Sequence, residues 1–147
     1  MTPRKRTSTA TAAAIATAVA AIPMAGAAGP PVASAPVWRP ELRARFVTEV
    51  AGGTRRAADL LAVAPSQASR WASGESVPGP MQARILVDID HVLAHALLVW
   101  ADASVARDWL TTPNANLDGV RPVEWIRAHG TSEVVDALRA EAAGAYA

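Results

Sequence analysis

The 147-residue chain has no cysteine. This excludes disulfides, thiolate zinc sites and a cysteine nucleophile, and it is compatible with a reducing cytoplasm, the expected location. No run is long and apolar enough to span a membrane. No Gly-rich phosphate loop is present, and Ser76 in GESVPG lacks the strand–turn–helix context of a nucleophile elbow. His91 and His95 stand four apart with Asp88 on the same face, but HVLAH lacks the glutamate of a zinc-protease helix and no third ligand is evident. Asp88 and Asp90 point to different faces of a helix. No segment alternates as a strand does. These absences predict an all-α protein without catalysis, cofactor or metal, its His/Asp stripe a solvated helix face.

What is present is uneven. Apolar residues make up 51% of the chain, but much of that is alanine, so the core must rest on Leu, Ile, Val and the five tryptophans. The net charge of +1 hides an asymmetry. Residues 1–40 carry four basic groups and no acid. Residues 41–74 set five arginines against three acids, and residues 75–147 set five arginines against ten. The front can approach a polyanion; the back suits a protein partner better.

Three regions follow. Residues 1–40 are an Ala/Pro-rich stretch that cannot bury enough surface to offset its ordering entropy, which predicts a disordered tail. A rival reading is a signal-like segment, with basic Arg4–Arg6, a weakly apolar stretch from Ala10 to Ala28 and Ala33-Ser34-Ala35 before a cut; a third takes Met24 as the start. Residues 41–80 hold three short helices. The first starts after Pro40, ends at Gly52-Gly53 and sets Leu42, Phe46 and Val50 on one face. The second follows Thr54 as N-cap. The third runs from Pro65 to the stop at Gly74. Residues 81–147 begin with a long helix, Met81–Trp100, whose apolar stripe is Met81, Ile85, Ile89, Val92, Leu93, Leu97 and Trp100. Helices over 104–110, from Pro122 to Gly130, and from Thr131 onward complete a small helical bundle.

The helices 54–61 and 65–73, joined by Ala62-Val63-Ala64, have helix–turn–helix spacing. Ala57 and Ala58 permit close approach, and Leu61, Val63, Ala68 and Trp71 can pack inward. That leaves Ser66, Gln67, Ser69 and Arg70 facing out, types that bond base edges and phosphates, with Arg55 and Arg56 placed for backbone phosphates. A plain helical hairpin with a solvated face is the alternative. AADLLAVAPSQASRWASGESVPGP resembles the helix–turn–helix of Xre-type regulators, closely the version in Xre/MbcA/ParS-type antitoxins. It departs at Ala62, where the family has Gly, and at Ala64, where it has a Ser or Thr cap.

The stretch from about residue 81 to 140 resembles the toxin-binding domain of the same antitoxins. The shared elements, in order, are Trp109-Leu110, Pro113-Asn114, Leu117, Gly119, Pro122, Trp125-Ile126, Gly130 and Val134-Val135 with Leu138. Most of these read as structural, Trp109, Leu117 and Trp125 as core. The resemblance implies an antitoxin of a type II module. It would occlude the active site of a RES-domain toxin that degrades NAD or transfers ADP-ribose, with Arg139, Glu141 and Tyr146 as blocking elements. It would repress its own operon by binding operator DNA as a homodimer or a toxin–antitoxin hetero-oligomer. The alternative is a stand-alone Xre-like transcription regulator whose C-terminal half only dimerises.

Overall fold

The computed structural model describes residues 38–145. The tail and signal readings of residues 1–37, and the role given to Tyr146, lie outside the described residues. Among the described residues the fold is all-α: seven α-helices, a 3-10 turn and no strand. The helices are α1 (Pro40–Ala51), α2 (Thr54–Leu61), α3 (Pro65–Ser73), α4 (Pro80–Trp100), α5 (Ala103–Thr111), α6 (Pro122–His129) and α7 (Ser132–Ala145), with the 3-10 turn at Ala115–Leu117. Proline opens four of them, α1, α3, α4 and α6, because its fixed φ suits the first helical position and its missing N–H would lack a partner there anyway.

The long helix α4 is the axis of the fold, touching α1, α2, α5, α6 and α7. Its inner face is Leu86, Ile89, Val92, Leu93 and Ala96, all fully buried. Around it Val47, Leu60 and Trp71 from the front and Leu110, Leu117, Ile126 and Val134 from the back join one continuous core. The segments before and after residue 80 therefore share a single apolar interior, with a small satellite of Ala96, Ala106 and Leu138 packed by Trp100 and Trp109. The indole N–H groups of Trp71, Trp109 and Trp125 are buried without an acceptor among the described residues. These rings serve packing, and each such donor costs about 1–3 kcal/mol.

Three sequence expectations need correction. In α1 the buried face is Ala44, Val47, Val50 and Ala51; Leu42 is exposed and Phe46 half-buried. This face is the one α1 turns toward α3 and α4, its main packing partners. Met81 lies exposed at the start of α4, so the apolar stripe of that helix begins lower down. Thr54 is the first residue of α2 rather than its cap: Gly53 holds the N-cap position, and no side chain bonds the free amides.

Candidate functional site

The α2–α3 pair, joined by a short turn, is assembled by small residues. Ala57, Ala58 and Ala68 are essentially inaccessible where α2 and α3 meet, and Trp71 closes the pair against the core. The turn begins at Ala62, which adopts φ 56° and ψ 45°, the left-handed conformation glycine usually supplies. An L-residue there costs roughly 1–2 kcal/mol. Ala64 precedes α3 in extended conformation and offers no side-chain cap. At the other end Gly74, at φ 80°, accepts the same left-handed geometry without strain.

Ser66, Ser69 and Arg70 are exposed on the outer face of α3, and Gln67 is half-buried. Gln67 is tied into a small network: its Nε2 donates to Ser76 Oγ at 3.1 Å and its Oε1 accepts from Arg70 Nη2 at 3.3 Å. The network ties Gln67 to Arg70 in the last turn of the helix, and Ser76, whose sequence context showed only that it is no nucleophile, is part of it. Arg55 and Arg56 are exposed at the start of α2. The structure thus brings all six candidate nucleic-acid contacts onto the two helices of one motif.

The back of the molecule is a hydrogen-bonded corner. Asp102 caps α5, its Oδ1 accepting from the amides of Ser104 and Val105 and from the Ser104 hydroxyl. The Ser104 hydroxyl, then the two amides, hold this carboxyl below its ordinary value. After Pro113, Asn114 is the one buried polar residue among those described. Its Oδ1 accepts from the amide of Asn116, and its carbonyl accepts from the amides of Leu117 and Gly119. Its Nδ2 donates to Glu141 Oε1 at 3.2 Å. Leu117 plugs the corner at 1% exposure, Asp118 and Gly119 turn the chain with positive φ, and Pro122 starts α6. Gly130 ends α6 at φ 97° and ψ −158°, a combination closed to side chains. Trp109 and Trp125 are half-buried against the core, and Val134, Val135 and Leu138 of α7 point inward.

Of the residues expected to contact a toxin, Arg139 is exposed and pairs with Asp136 at 3.0 Å. Glu141 is exposed, but its carboxylate is anchored by Asn114, so it helps hold α7 to the corner. Two residues that sequence reasoning missed join front to back. Arg127 on α6 donates from Nε and Nη2 to the Leu60 carbonyl at 3.1 and 2.6 Å and also reaches the Asp59 carbonyl, closing the end of α2. Its burial pulls the guanidinium below its ordinary pKa. Arg107 on α5 reaches the Ala51 carbonyl at the end of α1 at 3.3 Å. Both place a cation on a helix C-terminus, where carbonyls lack partners. They border a cleft of about 350 Å³ together with Arg56, Arg121, Asp59, Asp108 and Glu124.

The His91 and His95 rings meet at 4.3 Å, tilted by 55°, with His95 Nδ1 on the His91 carbonyl. Among the described residues no group of three His, Asp or Glu side chains is arranged to hold a metal ion, and no helix is long and apolar enough to cross a membrane.

Residues 95–144 match the family model described as the antitoxin Xre/MbcA/ParS C-terminal toxin-binding domain. The resemblance carried by Trp109, Pro113-Asn114, Leu117, Pro122 and Gly130 is thereby borne out, over a stretch that begins later and ends later than the motifs suggested. No curated protein and no solved structure matches the chain.

Proposed function

We propose that this chain is the antitoxin of a type II toxin–antitoxin module. The observation that carries the reading is the match of residues 95–144 to a toxin-binding domain, on a segment whose corner is held rigid by Asn114 and Leu117. The partner is a RES-type toxin that consumes NAD or transfers ADP-ribose. Neutralisation is steric: the outer face of α7, with Arg139, Glu141 and the segment to Tyr146, covers the catalytic cleft, and the antitoxin performs no chemistry of its own. It works in the cytoplasm, beside its toxin.

The second activity is autoregulation. The exposed Ser66, Ser69 and Arg70, with Gln67 oriented by Ser76, support base-edge and phosphate contacts in a major groove; Arg55 and Arg56 at the start of α2 support contacts to the flanking backbone. One short helix reads few base pairs, so two copies act together. The same observation favours the second reading, a stand-alone Xre-like regulator.

Co-expression with a RES-family enzyme tests the first reading. The expected result is restored growth and a purified complex, weakened by Arg139→Glu. Failure to rescue growth, together with operator binding that falls steeply with salt and is lost in Arg70→Ala, would leave only the regulator.

A further inference from the structure

The charges in the cleft between α2, α5 and α6 do not cancel. The cleft holds about 350 Å³, near the lower end of cavities that take small ligands. Four arginines and three acids line it. Three of the arginines are matched. Arg107 Nε bonds Asp108 at 3.3 Å, Arg121 faces Glu124 at 3.9 Å, and Arg127 lies in the field of Asp59 while its donors close α2. Arg56 is the fourth, and among the described residues it forms no ion pair. It also faces a like charge. Nη1 of Arg56 and Nη1 of Arg107 each lie 3.1 Å from the point where a side chain on Gly52 would begin, so the two guanidiniums converge over that glycine. Arg107 is half-buried, and its Nη2 has no partner among the described residues. Two planar donor forks aimed at one spot repel each other unless an anion lies between them, and phosphate oxygens can accept from both. Beside them the lining is apolar: Leu60 and Val123, buried in the core, each show an edge to the cleft.

We infer that this cleft binds a small phosphate-bearing molecule of the mononucleotide class, its phosphate between Arg56 and Arg107 and its ring against Leu60 and Val123. The acids fit the same ligand. Asp59 and Glu124 are exposed and accept from hydroxyl or amino groups, which a bare anion lacks. The site goes beyond the antitoxin reading and does not need it. One consequence does rest on the proposed operator binding: Arg56 is also offered to backbone phosphates, so a nucleotide in the cleft takes a contact from the duplex.

Titration of the full chain with AMP, followed by amide NMR, tests the site. Saturable shifts are expected at Gly52, Arg56, Arg107 and Val123. Arg56→Gln and Arg107→Gln should each weaken binding about tenfold or more, at unchanged helical circular dichroism. Arg56→Gln is the cleaner variant, because Arg107 also bonds the Ala51 carbonyl. Arg39→Gln, at the far end of α1, should leave the affinity as it is. Inorganic phosphate should shift the same residues at about tenfold lower affinity, since it leaves Leu60 and Val123 uncovered. These results stand even if the chain holds neither toxin nor operator, so the site and the proposed function fail separately. Four results would overturn the site. The shifts could grow without saturating, or the affinity could survive Arg56→Gln. AMP and inorganic phosphate could bind equally well. Or the cleft could respond to a DNA duplex and not to AMP, which would give its arginines to the nucleic-acid backbone.

Discussion

The two ends of the molecule solve the same problem differently. Every helix end leaves amides or carbonyls without partners. The corner from Asp102 to Gly130 satisfies most of its own: Asp102 caps α5, Asn114 organises the 3-10 turn, and Asp118, Gly119 and Gly130 take the positive-φ positions. The helix–turn–helix has no side-chain caps on α2 or α3 and carries strain at Ala62. Its carbonyl ends are closed from elsewhere, by Arg127 on α2 and by Arg45 on the Ala72 carbonyl of α3, and Arg107 does the same for α1. The back is self-sufficient and the front is supported from outside its own motif. The fold thus commits local chemistry to the segment that matches a toxin-binding domain, and tertiary contacts to the segment read as DNA-binding.

The severest challenge to this comparison is Leu117→Ala. A fully buried leucine in the corner should cost about 3 kcal/mol in urea denaturation. If the back is the foundation, amide protection in α2 and α3 falls with it. Protection that is lost only in residues 102–130 would break the comparison. Arg127→Ala comes next, removing charged hydrogen bonds from the end of α2 at a cost of about 2 kcal/mol. Hydrogen exchange should quicken first at the end of α2, with the corner unaffected. Ala62→Gly should do the reverse, relieving the turn and raising stability by about 1 kcal/mol, seen as a higher melting temperature. The smallest effect is acid sensitivity at Asp102. Its folded pKa lies below the ordinary 3.8, so its contribution is complete above that value and fades as the pH falls through the folded pKa. Asp102→Asn, which can still cap, should flatten that part of the acid melting curve.

The helix boundaries were legible because proline and glycine mark them: Pro65, Gly74, Pro122 and Gly130 fall where their backbone chemistry requires. The strain at Ala62 and the missing cap at Ala64 were also readable, since each departs from a residue type with a defined geometric role. The inner face of α1 was not. Periodicity favoured Leu42 and Phe46 by size, whereas the side turned toward α3 and α4 carries Ala44 and Val47, and the direction of a packing partner leaves no trace in a single segment. The Asp102 cap has a local signature, an aspartate directly before the first turn of α5. Arg107 and Arg127 had none: a guanidinium reaching a carbonyl 67 residues away is a product of the assembled fold. At the candidate site the residue types that face outward on α3 were readable, but the role of Ser76 in orienting Gln67 was not, because Ser76 lies past the Gly74 turn, outside the periodicity of the helix.

The reach of Arg127 to Leu60 has a bearing on turnover in the cell. A protease that cut the corner between α5 and α6, where Asn114 and Leu117 are buried, would leave the guanidinium that closes α2 on a separate piece of chain. Degradation begun at the rear would loosen the front in the same event, so neither half would outlast the other as a working fragment.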